Sequence, residues 1–152
     1  MYKKYLILTI QKGNPLPQVI NWYEKLDVRK LNRQDYREIP RHLMLEMRTG
    51  MDVIYPDIMI DPVLMVSEEV MEIIKLYNNR MPFIFLALLD KQKEESKSYY
   101  CPVLAEDTVE QKEALYRVKQ SNGYEIRICE ELAESLLSRG AIVIELSKGA
   151  TT

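Results

Sequence analysis

The order of apolar and polar positions along the chain outlines a series of short elements. Residues 2–10 (YKKYLILTI) are rich in strand formers and predict a first strand, buried from Tyr5 onward. In residues 14–26 (NPLPQVINWYEKL), Asn14 suits an N-cap and Pro15 the first helical position. Leu16, Val19, Ile20, Tyr23 and Leu26 follow at helical spacing, so a short amphipathic helix is predicted there. Residues 27–42 are polar, with five basic and three acidic side chains, and predict an exposed connection containing at most one irregular helical turn. The alternation in residues 43–48 (LMLEMR) predicts a strand, and TGMD a turn after it.

Residues 53–66 (VIYPDIMIDPVLMV) carry Pro56 and Pro62, which a central strand would not tolerate. An edge strand or an irregular extended stretch is expected. Ser67 precedes a predicted helix through Tyr77, with Val70, Ile73, Ile74 and Tyr77 on one face. The unbroken apolar run FIFLALL (83–89) predicts a strand buried on both faces. DKQKEESKS then fits a hairpin tip, and YYCPVLA the returning strand. ALYRVK and YEIRI flank Asn122-Gly123, a hairpin-turn signal. A last helix is predicted over 130–139, stopped by Gly140, before a closing strand AIVIEL. With no linker, low-complexity segment or fixed-period repeat, residues 1–152 are expected to form one α+β domain. Its sheet is expected to be mainly antiparallel, with two or three helices packed on it.

A loose internal echo stands out. VLMVSEEVMEII (63–74) aligns with IRICEELAESLL (126–137), placing Ser67 over Cys129 and Glu68-Glu69 over Glu130-Glu131. Both acid pairs fall on the first two positions of a predicted helix, where exposed amides and the helix dipole favour negative charge. Neighbouring helical residues point about 100° apart, so the paired acids do not converge on one bond. Helix-start chemistry is therefore favoured over a catalytic role.

Composition narrows the function classes. The 152 residues are 47% hydrophobic and 29% charged, with a formal net charge of −2. Residues 1–76 carry 11 basic and 11 acidic side chains, and residues 77–152 carry 10 and 12. That balance argues against nucleic-acid binding, which needs a basic face. No segment approaches the ~20 apolar residues of a membrane span. Cys101 and Cys129 make no disulfide framework, and a cytoplasmic protein with reduced thiols is expected.

No assembled catalytic set is visible. His42 is the sole histidine, at the head of a strand, and a solvated role is favoured over a triad or a metal ligand. Cys129 at a helix start could have a lowered pKa, but Glu130 and Glu131 oppose this and a small buried residue is expected. The five glycines are too dispersed to cradle a phosphate. Neither a metal nor a cofactor is expected. The basic cluster Lys25, Arg29, Lys30, Arg33, Arg37 and Arg41 is diluted by Asp27, Asp35 and Glu38 and fits a solvated face. Ten tyrosines exceed what a core of this size needs, and tyrosine is enriched where proteins meet proteins. Tyr99 and Tyr100, beside a charged loop, and Glu106, Asp107 and Glu110, in an acidic stretch, are the partner-facing candidates.

Four segments, taken in order, resemble a known family. They are YPDIMIDPVLMVSEEVMEIIKLY, FIFLALLD, SYYCPVLA and ICEELAESLLSRGAIVIEL. The sequence is similar over about residues 53–147 to the α+β immunity proteins of bacterial polymorphic toxin systems. There a Tyr-Pro-Asp stretch leads into a PV-x-x-VSE helix start, a tyrosine-bearing hairpin follows, and a SEELAE helix, a glycine and a strand close the chain. The matching positions are Tyr55, Pro56, Asp57, Pro62, Val63, Val66, Ser67, Glu68, Tyr99, Tyr100, Glu130, Glu131, Leu132, Ala133, Glu134 and Gly140, with Cys129 where the family often has serine. The resemblance implies a non-enzymatic protein that binds and neutralises a cognate toxin domain. The competing expectations are an enzyme or small-ligand-binding domain with a pocket of dispersed carboxylates and tyrosines, and a subunit that acts as an assembly surface.

Overall fold

Pro17 decides the first departure from periodicity. Its ring disfavours helical geometry at Leu16, and the β-branched Val19 and Ile20 follow. In the computed structural model, which describes residues 4–9, 16–106, 113–121 and 123–140 and the backbone of 145–148, Gln18–Ile20 is a strand, not a helix. It pairs antiparallel with His42–Arg48. The expected cap at Asn14 and Pro15 lies outside the described residues. Pairing with His42–Arg48 satisfies the backbone groups along one side of 18–20, and tertiary pairing overrides the helical spacing.

The strands are β1 (Tyr5–Thr9), β2 (Gln18–Ile20), β3 (His42–Arg48), β4 (Ile58–Met59), β5 (Met65–Val66), β6 (Phe83–Asp90), β7 (Glu95–Pro102), β8 (Ala105–Glu106), β9 (Leu115–Gln120), β10 (Gly123–Cys129) and β11 (Glu145–Lys148). Two α-helices, α1 (Glu68–Tyr77) and α2 (Glu130–Ser138), pack with them. The architecture is α+β, built on two sheets ordered β11-β1-β10-β9-β8 and β2-β3-β6-β7-β5-β4. Among the described strands seven of the nine pairings are antiparallel, in keeping with the expected mainly antiparallel sheet, but each sheet contains one parallel pair and is therefore mixed. β3 runs parallel to β6, and β8 parallel to β9. The proline-bearing stretch supplies β4 and β5 at the edge of the second sheet, where missing N–H donors are tolerated.

The β6–β7 hairpin divides the interior. On one of its faces Ile84, Leu86 and Leu88 join Tyr99 and Cys101, together with Leu43, Leu45 and Met47 from β3. Short 3-10 turns at Trp22–Glu24, Val28–Lys30 and Tyr36–Glu38 cover this core with Leu26, Leu31 and Ile39. The expected exposed connection over 27–42 is therefore part of a core lid: polar residues face water, and Leu31 and Ile39 point inward at irregular spacing. Arg33 on this lid also pairs with Glu113 at 2.9 Å. Glu113 accepts a bond from the Asn78 amide at 2.8 Å, and its carbonyl accepts the Tyr5 hydroxyl at 2.7 Å. One residue thus ties the lid, the end of α1 and β1 together.

The second core lies between the five-stranded sheet and the helices. Val70, Met71, Ile73 and Ile74 of α1 meet Leu132, Ala133 and Leu136 of α2, over Leu115, Ile126 and Ile128. The Tyr77 hydroxyl, 3.0 Å from the Glu131 carbonyl, links the helices. Ser67 caps α1 by accepting from the Val70 amide at 3.4 Å. Cys129 does the same for α2, its sulfur accepting from the Leu132 amide at 3.4 Å. The echoed acid pairs occupy the first turns of both helices. Gly140, with φ 76°, terminates α2 in left-handed geometry that a side chain would strain.

Two strand expectations change. β6 is buried on one face, while Phe83, Phe85, Ala87 and Leu89 on the other are partly covered. β7 begins at Glu95, so the charged ESKS is paired strand, not turn. The turn itself is set by Asp90, which is 3% exposed. Its carboxylate accepts from the Gln92 and Lys93 amides and from the Thr49 hydroxyl.

The Thr49 hydroxyl and the two amides hold the Asp90 pKa below the ordinary value. That stabilisation is complete above the usual aspartate pKa of about 3.9 and is lost as pH falls through the depressed value. Asp90→Asn is expected to lower the melting temperature at neutral pH, with the gap to the wild type closing on acidification. Leu86→Ala is expected to cost about 2–5 kcal/mol in denaturant unfolding. Leu89→Ala, on the open face, should cost well under half of that.

Candidate functional site

The Tyr-Pro-Asp stretch and the helix start that carry the family resemblance form one hydrogen-bonded unit. The Ser67 hydroxyl donates to the Asp57 carboxylate at 3.0 Å, and the Ser67 amide donates to the Asp57 carbonyl at 2.8 Å. The Tyr99 hydroxyl donates to the Pro56 carbonyl at 2.8 Å. Tyr55 lies under the Lys97 ammonium, 4.8 Å from its ring centroid. These residues clamp the 53–57 stretch between α1 and the hairpin, which is a scaffolding task.

The partner-facing candidates do not share a surface. Tyr99, at 3% exposure, is a core residue, and burial pushes its phenol pKa up. Its neighbour Tyr100 points to the opposite face of β7, where it packs edge-on against Phe85. Successive strand residues must diverge in this way. Glu106 is on the other sheet and pairs with Arg117 at 2.6 Å. Asp107 and Glu110 lie outside the described residues.

Two regions carry exposed or unfilled chemistry instead. The first is the outer face of the six-stranded sheet, covered by α1 toward β5 and β7 but open toward β3. Strand register sets His42, Phe85 and Tyr100 in one row, with ring centroids 5.4 and 5.5 Å apart. Met44, Ala87 and Ser98 form the next row, and Met44 is 55% exposed. Cations border this strip. Lys25 donates to the Met44 carbonyl at 3.0 Å, and Lys75 sits 5.7 Å from the Phe83 ring. Glu46 is neutralised by Lys91 at 2.9 Å.

The second region is a cleft of about 460 Å³ between the sheets. Trp22, Leu31, Ile60 and Ile126 supply apolar wall, and Arg117 supplies a largely buried cation. The sequence carried some signal for the open face, since both parities of FIFLALLD are apolar. It carried none for the cleft, whose walls are distant in the chain.

The residues considered for catalysis stay apart. His42 is exposed on the sheet face. Among the described residues no group of three or more His, Cys, Asp or Glu side chains could hold a metal ion. No described helix is long and apolar enough to cross a membrane.

Of the basic cluster, Arg29 pairs with Asp27, Lys30 with Glu38 and Arg33 with Glu113. Cys101 and Cys129 are both buried. Burial pushes the Cys101 thiol up to about 12 and the Cys129 thiol up to about 11. Thiolate, the reactive form, is thus scarce at neutral pH. Neither cysteine is expected to react with an aromatic disulfide reagent in the native protein, and both should react on unfolding in denaturant. No family model and no curated protein matches the chain.

Proposed function

We propose that this chain is a non-enzymatic binding protein of the immunity type, which neutralises a cognate toxin domain by covering it with the open face of the six-stranded sheet. The observation that carries this reading is the open strip of His42, Met44, Phe85 and Ala87, with Tyr100 at its α1-covered margin, on strands backed by a fully buried core. Aromatic and methionine side chains are enriched in protein interfaces, and residues on paired strands hold their positions better than residues on loops. The bordering lysines suit a toxin surface with an apolar centre and acidic edges.

The resemblance to immunity proteins supports the choice of partner class. Its residues at 55–57, 67 and 99 position the hairpin that presents this face. The reading replaces the tyrosine and acidic candidates with Met44, Phe85 and Ala87 as the contact centre, and keeps Tyr100 at its margin.

Co-expression with the C-terminal domain of a multidomain toxin encoded beside this gene tests the reading. The wild type is expected to restore growth and to copurify with that domain. Met44→Glu, at an exposed position, should leave the melting temperature unchanged and weaken binding at least about 30-fold, as expected for a central contact. A wild type that neither rescues nor binds would sink the immunity reading. Full binding by Met44→Glu would move the interface off this face.

A further inference from the structure

The cleft between the sheets holds a feature that the open face does not need. Arg117 projects from β9 with its side chain only 11% exposed. Its guanidinium stacks on Tyr124 at 3.9 Å from the ring centroid, and one terminal nitrogen donates to Glu106 at 2.6 Å. Its Nε–H is buried without an acceptor among the described residues. We propose that this cleft binds a small apolar monocarboxylate, with the acid group on Arg117 and the hydrocarbon against Trp22, Leu31, Ile60 and Ile126. The proposal is independent of the toxin-binding reading.

The chemistry follows from the donors. Nε and one terminal nitrogen form a planar edge with two parallel N–H groups, the geometry that a carboxylate matches with its two oxygens. Glu106 uses one of these donors from a side chain that is 41% exposed, so it can swing to solvent and release its place. The other acids near the arginines have their own partners. Asp27 holds Arg29, and Glu125 holds Arg127 at 2.8 Å. Cys101 in the cleft wall stays a neutral thiol, and none of the described residues lining the cleft is acidic.

One buried cation in an otherwise apolar wall fits a single negative charge better than a phosphate dianion. Arg29, the second cation at the rim, is solvent-exposed and committed to Asp27. The cleft volume, about 460 Å³, lies within the ~300–1,000 Å³ of small-ligand sites.

Trp22 is the sole tryptophan and lines the cleft, so its fluorescence reports occupancy directly. Sodium decanoate and 1-decanol, titrated below micelle-forming concentrations, are the probes. Decanoate is expected to shift the Trp22 emission saturably, with decanol at least about tenfold weaker for want of a charge-assisted bond. Arg117→Gln should bring the two probes level. Glu106→Gln should tighten decanoate, because the guanidinium loses its competing internal acceptor.

The proposal is overturned if neither probe gives a saturable shift, if acid and alcohol bind equally to the wild type, or if the preference persists in Arg117→Gln. It is equally overturned if Glu106→Gln binds decanoate no more tightly than the wild type, because Arg117 would then serve only its internal ion pair. Should Arg117→Gln fail to fold, the acid–alcohol comparison and the Glu106→Gln variant decide.

Discussion

The pleat of the β6–β7 hairpin is the constraint on which the rest of the structure depends. Side chains alternate across a strand, so a hairpin with apolar residues at both parities must find cover on two sides. The Ile84, Leu86 and Leu88 side is closed by β3, Tyr99 and the lid of 3-10 turns. The opposite side is closed by α1 only where Phe83 and Tyr100 lie, since that helix spans ten residues and follows the β4–β5 edge. Two cores and one open strip follow from that single mismatch in coverage. A second helix over β3 would remove the proposed docking surface altogether.

A few polar contacts between elements hold these covers in place. Glu113 joins the lid to α1 and β1, and Asp57 joins the proline-bearing stretch to the start of α1. Each is part-buried and bonded on more than one side, the setting in which removing one partner leaves the others unsatisfied. The same logic bears on Arg117. It is the arginine whose buried Nε meets neither a carboxylate nor a carbonyl among the described residues, and it sits where the two sheets fail to close on each other. The open strip and the cleft are both places where coverage stops, one outside a sheet and one between sheets.

Several features were readable from local chemistry. Ser67 before Glu68-Glu69 is a helix start wherever it sits, because the unsatisfied amides and the capping hydroxyl are a few bonds apart. Gly140 and the hairpin of β9 and β10 are local in the same sense. Other features needed partners remote in sequence. Val19 and Ile20 fit helix or strand equally well until β3 offers an edge. Leu31 and Ile39 look like isolated apolar residues until the core they cover exists. Tyr99 looks available until Pro56, 43 residues away, takes its hydroxyl.

The sequence by itself determined an α+β chain, its two helix starts, its turn glycines and most of its longer strands. It did so because capping, backbone permissiveness and alternation act within a few residues. Tertiary structure alone decided the parallel pairing of β3 with β6, the split into two sheets, and which apolar face stays open. It also decided that Arg117 faces a cleft. Those outcomes rest on how much surface each distant element can cover, and coverage is a property of packed elements that no local window of sequence contains.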